Sequence, residues 1–170
     1  MPLVPFDQLP PFARVWVFAS TSPLDADASA RLVAEVDRFL VQWQAHGRPL
    51  TCGRDWRHER FLTVAVDERD AGASGCSIDG LNRALRGLET ALGTSLLGGS
   101  HVFYRARDRE VHAVPRSEFR ALAADGRIGL ETPVFDLSVT TLDQWAERFE
   151  VPARLSWHAR LISSAVGSPG

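Results

Sequence analysis

Apolar positions along this chain follow two spacings, and the changes from one to the other mark its elements. Arg14-Val15-Trp16-Val17-Phe18-Ala19 is a continuous apolar run, which predicts a strand buried on both faces and ended by Ser20-Thr21-Ser22-Pro23. Leu32, Val33, Val36, Phe39, Leu40 and Trp43 recur three and four apart and predict one face of a helix. Gly47 and Pro49 are expected to stop that helix, with His46 near its C-terminus. Thr51 to Trp56 and Arg60 to Asp67 predict two strands around a polar turn, Arg57-His58-Glu59, the first diluted by Gly53 and Asp55. Ile78, Leu81, Leu85, Leu88 and Leu92 predict a second helix from about Ser77, closed by Gly93. His101 to Tyr104 and Val111 to Val114 pair through Arg107-Asp108-Arg109 as a hairpin.

The order β-α-β-β-α-β with an added antiparallel strand predicts an α+β, ferredoxin-like sandwich over residues 1–115. Right-handed crossovers are expected to set the strands beginning near Arg14 and Arg60 side by side and parallel, so that their following turns share one rim. From Pro115 a small appendage over 116–162 is predicted to pack on that core. It holds a short helix capped at Ser117 and ended by Gly126, an extended Thr132-Pro133-Val134-Phe135-Asp136, and a helix starting at Thr141. This module is loosely similar to the small aromatic-rich peptide-binding GYF-type modules. Residues 163–170 read as a flexible tail.

Composition narrows the chemistry. With 45% hydrophobic and 24% charged residues, 170 residues suffice for a sizeable core. A net charge of −2 gives no electrostatic reason to expect nucleic acid or an anionic membrane surface. No apolar run approaches the ~20 residues of a membrane-spanning helix. The start, Met1-Pro2-Leu3-Val4-Pro5, lacks the basic region of a signal peptide, so the expected location is the cytoplasm. All 19 basic residues are arginine. A phosphate loop needs its lysine and a Schiff-base enzyme its amine, so neither can be built here. Cys52 and Cys76 form no Cys-x-x-Cys pair, and scattered histidines give no metal-ligand spacing, so neither disulfide framework, metal nor cofactor is expected.

The strongest chemical candidate is Ala73-Ser74-Gly75-Cys76-Ser77-Ile78-Asp79-Gly80, at the turn from a strand into a helix. A helix N-terminus favours negative charge and eases ionisation of a thiol placed there. Cys76 is thus a candidate nucleophile, with Asp79 one helix turn on and His158 or His46 as its base. Ser74, Gly75 and Ser77, with Ser20, Thr21 and Ser22 from the other turn, are candidate anion ligands. The bland alternatives are a small buried cysteine, ordinary caps, and a Trp157 that docks the C-terminal segment. His101 and His112 take strand positions, and Arg105 to Arg109 read as a solvated hairpin tip.

The segments Ala13 to Val17, Gln42-Trp43, Ala45-His46-Gly47, Ala73 to Asp79, Val151-Pro152-Ala153 and Ser156-Trp157-His158-Ala159-Arg160 together resemble a family of uncharacterised bacterial proteins often labelled "ABC transporter ATPase". The resemblance runs from about Phe6 to Leu161 and implies no established activity, and the phosphate-loop motifs that label calls for are absent. Two functions remain open. One is a cytoplasmic module holding a small anionic ligand or a protein partner in a cleft at Ser74–Asp79. The other is a thiol-dependent group-transfer enzyme using Cys76, His158 and Asp79.

Overall fold

The computed structural model describes residues 3–97 and 99–166. Its elements in chain order are β1 (Arg14–Ala19), α1 (Ala26–Val41), β2 (Gln44–Ala45), β3 (Arg48–Pro49), β4 (Thr51–Arg57), β5 (Phe61–Asp67), α2 (Gly75–Leu92), β6 (His101–Arg105), β7 (Val111–Pro115), α3 (Arg116–Ala124), β8 (Pro133–Phe135), α4 (Leu142–Arg148), β9 (Glu150–Pro152) and α5 (Ala159–Val166). The protein is α+β, with antiparallel sheets. It divides into two compact units. Unit 1 runs to Leu97 and regains Val139–Trp145, and unit 2 holds 99–138 and 146–166. The division therefore falls ahead of β6 rather than at residue 115. Residues 163–166 belong to α5 rather than to a tail, and 167–170 lie outside the described residues.

Unit 1 is built on a three-stranded sheet in the order β1-β5-β4. All seven residues of β5 are buried, as its unbroken apolar run requires of a central strand. Leu62, Val64 and Val66 point to the side where α1 and α2 supply Leu32, Val36, Leu40, Leu81 and Leu85. Ala65, with Val15 of β1, meets Leu9, Ala13 and Val139 on the opposite face. Irregular chain covers both edges of this sheet. Val4 donates to the Cys52 carbonyl beside β4, and Val15 donates to the Thr140 carbonyl beside β1.

Two expectations fail here. β1 and β5 are neighbours but antiparallel, with Arg14 opposite Val66 and Ala19 opposite Phe61. The strand that would complete a ferredoxin-like sheet after α2 is β6, and it lies in the sheet of unit 2. The crossover through α1 runs from β1 to β4, which are parallel to each other, and β5 fills the gap between them in the reverse direction. α1 also stops at Val41, short of Gly47, because His46 and Gly47 form the tip of the small β2–β3 hairpin with left-handed backbone.

Unit 2 is a four-stranded antiparallel sheet, β7-β6-β8-β9. Val102, Tyr104, Val114, Val134 and Val151 share a core with Phe119 and Ala123 of α3 and with Leu161 and Ile162 of α5. α3 begins at Arg116 with no side-chain cap, so Ser117 lies inside its first turn. Neither β9 nor α5 is anticipated by the sequence pattern.

Candidate functional site

The two turns expected to converge sit at opposite ends of α2. Ser74 caps its N-terminus: the Ser74 hydroxyl accepts from the Ser77 amide at 3.2 Å, and the Ser77 hydroxyl accepts from the Ser74 amide at 2.7 Å. Trp43 Nε1 donates to the Ser77 carbonyl at 2.8 Å and locks this turn onto the core. Ser20, fully buried, instead contacts Thr94 Oγ1 at 2.6 Å, and Thr21 donates to the Ser95 carbonyl, both just past the C-terminus of α2. Arg60 also donates to the Ser20 and Thr21 carbonyls. A helix of 18 residues, about 27 Å long, separates the turns. Ser20, Thr21 and Ser22 therefore form no pocket with Ser74, Gly75 and Ser77. The cause is the antiparallel direction of β1 against β5.

The catalytic candidates are divided between the units, Cys76 and Asp79 in unit 1 and His158 in unit 2. Cys76 and Asp79 are exposed on the first turns of α2, and the thiol has no hydrogen-bond partner among the described residues. His158 is 1% exposed in the core of unit 2. Its ring stacks on Trp157 at 3.9 Å, meets Phe119 edge-on, and holds Nδ1 2.7 Å from the Ser156 hydroxyl. Burial pulls its pKa down to about 4, with Asp136 opposing and Arg116 reinforcing the effect. This is a structural histidine satisfied by its own unit. Cys52 is equally inert: burial pushes its thiol up to about 12, and it donates to the Leu40 carbonyl. Among the described residues no group of three or more His, Cys, Asp or Glu side chains is placed to hold a metal ion.

A different site emerges on unit 2. Two depressions, of about 370 and 410 Å³, share Tyr104, Ala106, Arg107 and Arg127 and so form one cleft between the β6–β7 hairpin and the segment leading into β8. Tyr104 is the only tyrosine in the chain and is 8% exposed. Directly opposite on β7, His112 stacks on its ring at 5.6 Å, and Phe119 supports it edge-on at 5.9 Å. His112 Nε2 lies 3.0 Å from Asp108, which fixes the ring in place. The Tyr104 hydroxyl has no hydrogen-bond partner among the described residues. It is not enclosed either, since the sole enclosed unpartnered side-chain polar atom among them is His101 Nδ1. It therefore opens onto the cleft. Burial raises the pKa of this phenol, helped by Glu118 and Asp108 and opposed by Arg127, so it remains a donor at neutral pH.

Arg107 and Arg127 line the cleft with no ion-pair or hydrogen-bond partner for either guanidinium among the described residues. Three charges of the lining are already engaged: Arg105 with Glu150 at 2.7 Å, Glu131 with Arg154 at 2.9 Å, and Asp108 with His112 at 3.0 Å. Leu122 and Ile128 complete an apolar wall. Sequence alone assigns Arg105 to Arg109 to a solvated tip. The lone tyrosine two residues before Ala106, and an arginine directly after Gly126, are the only signals that mark the cleft there. A larger groove of about 490 Å³ runs between α1 and α2, where Glu35 and Arg38 pair with each other at 2.8 Å and Arg31 is an exposed third charge. No buried polar group faces it. No family model, curated protein or solved structure matches this chain. No described helix is long and apolar enough to cross a membrane.

Proposed function

We propose that this chain is a non-catalytic module that binds a small anionic ligand or the anionic end of a protein partner, and that it does so in the Tyr104 cleft. The observation that carries this reading is a phenol more than nine-tenths buried whose hydroxyl is unspent and faces a cleft flanked by two unpaired guanidinium groups. The hydroxyl is open to the cleft and held by a ring that packing fixes in place, so an oxyanion can accept from Tyr104 with little ordering cost. Arginine forks suit such oxyanions because they present paired donors. The two free thiols fit a reducing, cytoplasmic setting.

Tyr104 ring labelling with carbon-13 yields a single NMR probe, as no other tyrosine competes. Small organic anions at low ionic strength are expected to shift that signal, and neutral analogues are not. A signal that no anion moves removes the proposal.

The thiol-enzyme reading rests on the exposure of Cys76 at the start of α2. It requires native Cys76 to alkylate faster than a free thiol, with a shifted pH profile. The binding reading expects an ordinary rate at Cys76 and no adduct at Cys52 until the protein unfolds.

A further inference from the structure

We infer that the Tyr104 cleft selects a carboxylate carrying an apolar body, supplied as a free amphipathic acid or as the free C-terminus of a chain ending in an apolar residue. This deepens the anion-binding reading of the same cleft and rests on it. The selection follows from how the cleft divides its chemistry. One side offers the Tyr104 hydroxyl and the Arg107 and Arg127 guanidinium groups, with the Asp108 carboxylate that also lines it already engaged by His112. The other side offers hydrocarbon, in Leu122, Ile128 and Ala106. A bare inorganic anion satisfies the donors and leaves that wall wet. A carboxylate with an alkyl or aryl body satisfies both.

Charge count favours a single negative charge over two. Besides Arg127, the Tyr104 phenol already lies in the field of Asp108 and Glu118. Asp108 is held by the Glu110 amide at 2.8 Å and by His112, so it stays in place as a fixed negative charge in the lining of the cleft. A phosphate dianion meets that repulsion twice over, while a carboxylate meets it once and still fits a planar guanidinium fork.

The test uses the whole protein with labelled Tyr104, titrated with hexanoate, phenylacetate, acetate and inorganic phosphate. Hexanoate and phenylacetate are expected to bind at least about tenfold more tightly than acetate or phosphate, through the apolar area they remove from water. Arg107→Gln and Arg127→Gln are each expected to weaken hexanoate at least about fivefold, as charge-assisted hydrogen bonds are lost. Both lie at exposed positions, so folding is retained. Leu122 and Ile128 also pack in the core, so the length of the acid, rather than their substitution, probes the wall. Acetylated peptides ending in leucine then separate the sources. Binding of the free terminus but not its amide identifies a chain end, and binding of hexanoate with neither peptide identifies a free acid; both outcomes uphold the selection. Phosphate or acetate binding as tightly as hexanoate overturns the selection while leaving the cleft an anion site. A silent Tyr104 signal with all four anions overturns the site as well.

Discussion

His158 shows what enclosure does to a single ionisable ring. Its folded pKa of about 4 lies below the ordinary histidine value of about 6.5, so between those two values the unfolded chain binds more protons than the native one. Stability therefore rises with pH across this window and is lost as pH falls through it. The loss from this one group amounts to about 3 kcal/mol on going from pH 6.5 to 4. Urea unfolding at successive pH values measures it, with His158→Gln as reference. All other ionisable groups are common to the two proteins, so the difference between the two profiles reports His158 together with its coupling to Asp136. Coincident profiles contradict the assignment. The sequence predicts that the segment of Trp157 and His158 docks on the core of residues 1–115, whereas the ring is enclosed with Phe119 in unit 2. The pattern gives no sign that the ring is spent on Ser156, because hydroxyls two residues from a histidine are common in any loop.

Among the elements, β4 shows how a weak sequence signal can carry structural meaning. Gly53 dilutes the strand pattern, and the structure supplies the reason: a Cβ there would stand 2.8 Å from the Val4 carbonyl and 3.3 Å from the Phe6 Cα. The N-terminal segment crosses β4 at this residue. Gly53→Ala is expected to cost about 1–3 kcal/mol, since backbone rather than a flexible side chain must give way. Denaturant midpoints at constant slope check this, and an unchanged midpoint would show that the segment does not rest there. The core strands, α2 with its Gly93 stop, and the β6–β7 hairpin were all legible within a few residues, since each rests on a run of periodic apolar positions. What stayed hidden lacks that support. Two apolar runs carry no arrow, so the direction of β1 against β5 could not be read from either. Trp43 continues the helical period beyond Val41 because its indole reaches the core from the turn that follows. β9 has only three residues, too few to show a period.

At the level of the whole molecule, unit 1 depends on seven residues that return to it after most of unit 2. In that strap Trp145 donates from Nε1 to the fully buried Thr63 hydroxyl at 3.0 Å, packs edge-on against Phe6 at 5.1 Å, and lies under the Arg57 guanidinium at 4.3 Å. Trp145→Phe keeps a ring but strips Thr63 of this donor, which is expected to cost about 1–3 kcal/mol. Amide hydrogen exchange reads it by region. β5 should exchange faster while β6 keeps its protection, and equal acceleration in both would count against two separate units. The strap also imposes a timetable on synthesis. A ribosome releases the chain in order, so β1 must wait with an open edge until all of 98–138 has followed it. During that interval the nascent sheet can pair with any stray strand, and only the arrival of Thr140 and Thr141 shuts that door.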